Sequence, residues 1–341
     1  MSAESEKIKF AVVGYGHIGK RHTEMISRNP EAELVAVCDI RSKEELGLNG
    51  LEIPVFDSIN SLFNSNCQVD VVNICTANGL HSEQAINALE HGAHVVVEKP
   101  LGLKTENCNQ VIQKAKEVKR QVFCVMQNRY SPASVWIKNV ADRKLLGEIF
   151  MVEINCYWNR DHRYYKKGSW KGTKDMDGGT LFTQFSHFID MMYWLFGDIE
   201  NINAKLENFR HKDSTEFEDS GMVNFDFVKG GVGTFNYSTA VWDKNMESSI
   251  TIIGSKGSVK LGGQYMDAVE HCHIDGYEMP GLPNLSAKHD YGDYKGAAAN
   301  HHFIIENVIE ALQEKTQMTT TAAEGLKVVD IIERIYSKKQ N

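Results

Sequence analysis

Apolar runs of strand length recur through the first third of the chain, at residues 8–13, 34–38, 69–75, 94–97 and 122–126, with a weaker run at 54–56. Between them lie amphipathic stretches with helical spacing, such as 82–91 and 105–120. A strand that is apolar on both faces must be covered on both, so this alternation predicts an α/β domain with a doubly wound parallel sheet. The pattern changes after residue 129. A helix at 131–145 leads through Leu146-Gly147-Glu148 into a strand at 149–157, and an apolar helix follows at 180–196. Strand-like runs then occupy 202–206, 220–228, 231–238, 249–254 and 258–261, and two helices close the chain at 301–314 and 322–338. Runs of strands with few helices predict an α+β domain on a large, open, mostly antiparallel sheet. The expected division is 1–128 and 129–341, with the terminal helices able to pack back on the first domain.

The 341 residues, 42% hydrophobic and 24% charged, suffice for two folded cores and exclude a disordered or low-complexity chain. No run approaches the ~18 apolar residues of a membrane-spanning helix. The N-terminal residues enter the first strand without an apolar leader, so a cytoplasmic location is expected. Seven cysteines, at 38, 67, 75, 108, 124, 156 and 272, show no C-x-x-C spacing. They read as reduced thiols rather than a disulfide frame or a zinc site, and no metal is expected. The net charge of −8 disfavours nucleic acid and anionic membrane as partners and leaves a small molecule.

Gly14-Tyr15-Gly16-His17-Ile18-Gly19 stands between the first strand and the first helix. Gly14 permits the tight turn, Gly16 lets a pyrophosphate approach the backbone, and Gly19 allows close helix–strand packing. The helix start, with His17 and Ile18, offers N–H groups and a positive dipole end to phosphates. Asp39 lies at the end of the second strand, where a carboxylate accepts from the ribose hydroxyls and repels a 2′-phosphate. It points to NAD over NADP, with Arg41 nearby softening the preference. Polar residues recur at later strand ends: Thr76-Ala77-Asn78 with His81, Glu98-Lys99-Pro100, and Gln127-Asn128-Arg129. Ligands of open α/β sheets bind outside those ends, so these residues would border one crevice. Lys99 is either a ligand-facing ammonium or a partner of Glu98, and Pro100 keeps it out of the helical conformation and admits a cis bond.

The 180–196 segment is apolar nearly all round, and Thr183, His187 and Asp190 fall at i, i+4 and i+7 on one polar stripe. Such a stripe needs partners, which either the core or a substrate pocket supplies. Residues 157–174 concentrate Arg160, Arg163, Lys166, Lys167, Lys171 and Lys174 against one acid, Asp161, interleaved with Tyr157, Trp158, Tyr164, Tyr165 and Trp170. Arginine forks and aromatic faces suit phosphate and carboxylate groups, and the alternative is a solvated loop. One such loop in an acidic protein is a poor footprint for nucleic acid.

With Gly14 to Gly19, Glu98-Lys99-Pro100 and Ser186-His187-Phe188-Ile189-Asp190 assembled, the chain resembles the Gfo/Idh/MocA oxidoreductases over nearly its whole length, Gly254-Ser255-Lys256-Gly257 and Asn300-His301 included. Within that family, Gln127-Asn128-Arg129 and residues 164–173 and 247–254 are similar to the dehydrogenases that oxidise C3 of UDP-N-acetylglucosaminuronate for surface-polysaccharide sugars. The resemblance implies a Rossmann domain that binds NAD, Lys99 and His187 as the catalytic pair beside the nicotinamide, and Trp170 and Lys171 reaching the cofactor. Thr76, Asn78, His81, Glu98 and Asn128 join the glycine loop, Asp39 and Arg41 as expected cofactor contacts. Arg129, Arg160, Tyr164, Tyr165, Thr183 and His187 are the expected substrate contacts. On this reading His187 removes the hydroxyl proton, while Lys99 stabilises the alkoxide and helps keep His187 neutral. One position departs from the family pattern. Inositol dehydrogenase-like members carry aspartate four residues before the histidine, and the sugar-nucleotide enzymes tend to carry asparagine; this chain has Thr183. The rival readings are a dehydrogenase of another sugar or polyol, an NAD-dependent glycosidase, and a non-catalytic dinucleotide sensor. A homodimer or homotetramer is expected from the resemblance and the open sheet.

Overall fold

The computed structural model describes residues 6–50, 52–283, 289–290, 295–296 and 300–338. The chain divides into two compact units, one of residues 1–125 with 300–329 and the other of residues 126–299 with 330–341.

In the first unit, β1 (Ile8–Val13) and α1 (His17–Arg28) lead to β2 (Ala32–Cys38), and β3 (Val55–Phe56) extends that edge. The chain then runs through α2 (Ile59–Phe63), β4 (Val71–Ile74), α3 (His81–Glu90), β5 (His94–Val97), α4 (Thr105–Val118) and β6 (Val122–Cys124). The described order is β3-β2-β1-β4-β5-β6, with every neighbour parallel, as the continuous apolar runs predict. Phe10, Ala11, Val12, Val71, Val72 and residues 95–97 are wholly buried, which is what coverage on both faces requires. The strand order reverses between β1 and β4, where ligands of such sheets bind.

The second unit opens with α5 (Pro132–Asp142), whose first turn is capped by the Ser131 hydroxyl accepting from Ser134 N–H. The strand β7 (Ile149–Tyr157) precedes two helices, α6 (Thr180–Thr183) and α7 (Ser186–Phe196). Then follow β8 (Ile199–Glu207), β9 (Ser220–Phe227), β10 (Val232–Ser238), β11 (Glu247–Gly254), β12 (Gly257–Gly262) and β13 (Ala268–Ile274). Their order is β13-β12-β11-β7-β10-β9-β8, antiparallel except that β10 runs parallel to β7. Alternate residues of β9 and β10 are buried, so one face carries the core. Phe185 meets Phe235 edge-on and Tyr237 at a tilt on that face, at ring separations of 6.4 and 5.3 Å. Beyond it, β14 (His289–Asp290) and β15 (Lys295–Gly296) form a separate short ladder.

Two features differ from the expectations. The single helix expected at 180–196 is broken, because Gln184 and Phe185 both donate to Thr180 O and the next helix starts afresh at Ser186. The stripe of Thr183, His187 and Asp190 is therefore not one helical face. The strand β13 had no apolar signature, since nearly all of Ala-Val-Glu-His-Cys-His-Ile remains at least partly exposed at the sheet edge.

The last helices are α8 (His301–Leu312), which packs on α1, and α9 (Ala322–Ser337), whose residues up to Val329 belong to the first unit. Among the described residues no helix is long and apolar enough to cross a membrane.

Candidate active site

At the end of β1, Gly14 adopts φ +87°, a left-handed value that suits glycine. Gly16 caps α1 in an extended conformation and supplies no side-chain cap, so the first-turn N–H groups retain donor capacity. A Cβ on Gly19 would run into the carbonyl oxygen of Gly14, whereas one on Gly16 meets no protein atom within 4 Å. The loop is thus closed on its packing side and lacks a side chain on the side a phosphate would approach. Asp39 follows β2. Its carboxylate accepts from Tyr15 N–H at 2.7 Å and from Arg41 N–H, Nε and Nη2 at 3.0, 2.9 and 2.8 Å. Burial alone would raise this carboxyl's pKa, but the Arg41 and Tyr15 hydrogen bonds outweigh it and the net shift is downward. These glycines, amides and the acidic strand end fit a dinucleotide with free ribose hydroxyls.

The later strand ends are braced from within the same unit. The Thr76 hydroxyl donates to Gln84 Oε1 at 2.6 Å, and Asn78 is buried at the start of a one-turn helix. The buried His81 ring lies between Pro100 O, at 2.7 Å, and Thr76 O, at 3.2 Å, and burial lowers its pKa. Lys99-Pro100 is a cis peptide bond, as the sequence admitted. Glu98 points inward to two histidines that sequence reasoning gave no role. Its Oε1 lies 2.9 Å from His22 Nε2 and 3.4 Å from His301 Nε2, and its Oε2 accepts Lys99 N–H at 3.3 Å. Asn73 Nδ2 stands 2.8 Å from the other ring nitrogen of His22. The three are residue types that hold metals, with ligand atoms within 4.8 Å of one another; His22 is hydrogen-bonded to Glu98, whereas neither ring nitrogen of His301 makes a hydrogen bond of good geometry among the described residues. Burial opposes ionisation of Glu98, yet the His22 and His301 contacts hold its carboxyl well below the usual range. Helical spacing does not mark His22 as a partner of Glu98, since they lie 76 positions apart.

In the second unit, His187 is the second residue of α7 and is 4% exposed. Its Nε2 lies 3.2 Å from Gln127 Nε2; with the amide as donor, that ring nitrogen is an acceptor, the state a proton acceptor requires. Gln184 and Ser186 flank the break before His187, and their buried polar atoms have no hydrogen-bond partner among the described residues. The same holds for Oδ1 of Asn128, next to Gln127. Orphaned side-chain atoms in the segments that carry His187 and its partner Gln127 are what a polar ligand would satisfy. Arg129 is turned elsewhere, its Nε and Nη2 paired with Asp190 Oδ2 and Oδ1 at 2.9 and 2.6 Å.

The basic segment is not a solvated loop throughout. Arg160 is 5% exposed and lies over the rings of Trp158 and Tyr164, at 4.9 and 5.4 Å. Lys171 Nζ sits 3.9 Å from the centre of the same Tyr164 ring. Burial lowers the Lys171 ammonium to about 8, against an opposing pull from Asp177 and with added repulsion from Arg160 and Lys166. Trp170 is half-buried beside it. Tyr165 is buried against His211 and Phe217, and burial raises its phenol. Thr183 donates its hydroxyl to Asp177, a wholly buried carboxylate that the sequence reading passed over because it lies outside the basic segment.

The glycine turn, acidic strand end and Glu-Lys-Pro turn of the first unit and, by itself, the buried histidine of the second are the features of a class. Residues 8–126 match the NAD-binding Rossmann-fold domain of the Gfo/Idh/MocA oxidoreductases, and residues 135–260 match that family's C-terminal domain. The chain belongs to the Gfo/Idh/MocA family, and its first unit is an NAD-binding domain. Among solved structures it is similar to the WlbA dehydrogenase of Bordetella pertussis, crystallised with NADH and UDP-GlcNAcA, with a TM-score of 0.86 and 28% identity over 98% of this chain and 96% of that one. The WlbA of Chromobacterium violaceum, in complex with the same two molecules, gives 0.86 and 29% over 98% and 94%. By sequence the chain is 26% identical over 336 residues to inositol 2-dehydrogenase of Rhizobium meliloti, 94% of this chain and 93% of that protein. It is an NAD-dependent oxidoreductase of the sugar and polyol kind.

Proposed function

We propose that the substrate is a nucleotide sugar bearing a carboxylate, most specifically UDP-N-acetylglucosaminuronate, oxidised at the C3 hydroxyl on the way to a surface-polysaccharide sugar. The observation that carries this reading is the pair of cations, Arg160 and Lys171: both rest on the Tyr164 ring, largely out of water. A neutral polyol gives two such cations nothing to neutralise, whereas a carboxylate or diphosphate accepts from both. The similarity to two enzymes solved with UDP-GlcNAcA over 98% of the chain supports the same choice.

NAD, when bound, supplies the hydride acceptor. The glycine loop and the α1 amides bind its phosphates, and Asp39 binds the ribose of its adenosine half. His187 takes the hydroxyl proton, the substrate hydroxyl displacing the Gln127 amide from the Nε2 lone pair. Lys99 stabilises the charge left on the oxygen. Thr183, Tyr164 and Arg160 orient the sugar and its anionic groups. Calorimetric binding tests the substrate class: the acidic sugar nucleotide should bind at least tenfold more tightly than UDP-N-acetylglucosamine, and equal binding of the two refutes a carboxylate-reading site.

A polyol dehydrogenase is the second reading, favoured by the 26% identity to inositol 2-dehydrogenase across 94% of the chain. It requires NAD-dependent turnover of free inositol, a substrate with no nucleotide attached.

A further inference from the structure

We infer that Asp177 is a positioning residue that ties two ligand-facing groups of the second unit together: one oxygen of its buried carboxylate holds Thr183, and the other holds the backbone beside Lys171. That Thr183 and Lys171 serve a substrate rests on the function proposed above; the tie between them does not.

Asp177 is 0% exposed. Its Oδ2 accepts Gly172 N–H at 2.8 Å, and its Oδ1 accepts the Thr183 hydroxyl, which also lies 3.1 Å from Asp177 O. The turn between them is tight, because Asp177 and Gly178 both donate to Thr173 O, at 3.0 and 3.2 Å. On its far side Gly172 is pinned as well. It adopts φ +92°, a Cβ there would meet Ser214 O at 2.5 Å, and its carbonyl accepts Glu216 N–H at 2.8 Å. Gly172, the neighbour of Lys171, is thus clamped between Asp177 and the 214–216 segment. The Asp177 carboxylate links the α6 end at Thr183 to that clamp.

The same carboxylate acts on charge. Lys171 shares the Tyr164 ring with the guanidinium of Arg160 and feels the ammonium of Lys166, both repulsive, and Asp177 is the attractive group among them. In a half-buried place those repulsions are weakly screened, so the carboxylate keeps Lys171 charged at neutral pH. Asp177 therefore fixes both the place and the charge of the ammonium.

Neither test needs turnover. In the full-length protein, the pH dependence of Lys171 modification by trinitrobenzenesulfonate, followed by peptide mass spectrometry, should have its midpoint near 8. In Asp177→Asn the midpoint should fall by on the order of 1 pH unit, making Lys171 roughly fivefold more reactive near pH 7. An unchanged midpoint in a folded Asn variant overturns the inference. Thr183→Val, a milder change at a half-buried site, tests the tie if the Asn variant does not fold. Amide hydrogen exchange at Gly172 should quicken several-fold when the Thr183 hydroxyl is removed, and unchanged exchange there overturns the coupling. Loss of the proposed sugar-nucleotide activity assignment would leave both readouts standing.

Discussion

Arg129 and Asp190 form a two-pronged ion pair, at 2.9 and 2.6 Å, with each side chain only 1% exposed. The guanidinium also lies 5.1 Å from the Trp194 ring. A buried pair of this kind is costly to break from one side, because the remaining charge is stranded without water. Arg129→Ala should therefore lower stability by ~3–5 kcal/mol in denaturant titrations. A variant of unchanged stability with weakened ligand binding would instead make Arg129 a ligand contact.

The glycine loop gives a prediction in which two similar changes part company. Gly16 has φ −77° and no atom near its imaginary Cβ, so Gly16→Ala should fold with stability within about 0.5 kcal/mol of the parent. Its methyl would stand where the backbone must approach a pyrophosphate, so NAD affinity should fall at least ~10-fold, about 1.4 kcal/mol. Gly19→Ala forces a Cβ into Gly14 O and should unsettle the fold itself. Thermal unfolding with and without NAD separates the two, and equal behaviour of both variants would contradict the packing argument.

Much of the first unit was legible because its signals are local. A glycine turn after an apolar strand, an acid at the next strand end and a Glu-Lys-Pro turn each read from a few adjacent residues. What stayed hidden depends on partners far apart in sequence. His22 and His301 close on Glu98 from helices 279 residues apart (301 − 22), and no periodicity predicts that. The break at Gln184 and Phe185 was hidden for another reason. The segment is apolar on every side, so hydrophobic pattern cannot distinguish one helix from two short ones. The parallel pairing of β7 with β10 is likewise a matter of topology, not of residue type. Asp177 escaped because a lone aspartate after a basic loop has no motif; its meaning comes from Thr183 and Gly172 meeting it.

Glu218 supplies a pH dependence. It is wholly buried and accepts from Tyr336 and Tyr237 hydroxyls at 2.8 and 3.1 Å. Burial pushes its carboxyl up to about 7, with the hydrogen bonds opposing. A folded-state value above the unfolded 4.5 means its contribution to stability is full below 4.5 and is lost as pH rises through 7. Glu218→Gln keeps an acceptor for both tyrosines and cannot ionise. Relative to the parent, it should gain on the order of 3 kcal/mol between pH 4.5 and pH 8 in urea unfolding. A pH-independent difference between the two would contradict burial as the cause.

His187→Ala should lower kcat by ~10²–10⁴, the usual loss on removing a general base, while NAD binding to the first unit is retained. Lys99→Ala should likewise spare the fold. Were both variants to turn over substrate like the parent, the proposed catalytic pair would be wrong; a parent that binds NAD but turns over no sugar, with binding kept in both variants, would make a dinucleotide sensor the better reading.

The most direct test of the account is nicotinamide reduction, followed by absorbance, on mixing the protein with NAD and UDP-N-acetylglucosaminuronate, with and without 2-oxoglutarate as a cofactor-regenerating oxidant. The account predicts NADH formation, at least stoichiometric with enzyme, that vanishes in His187→Ala and is absent with UDP-N-acetylglucosamine. No NADH with the acidic sugar nucleotide, together with steady turnover of a free sugar or polyol, would contradict it.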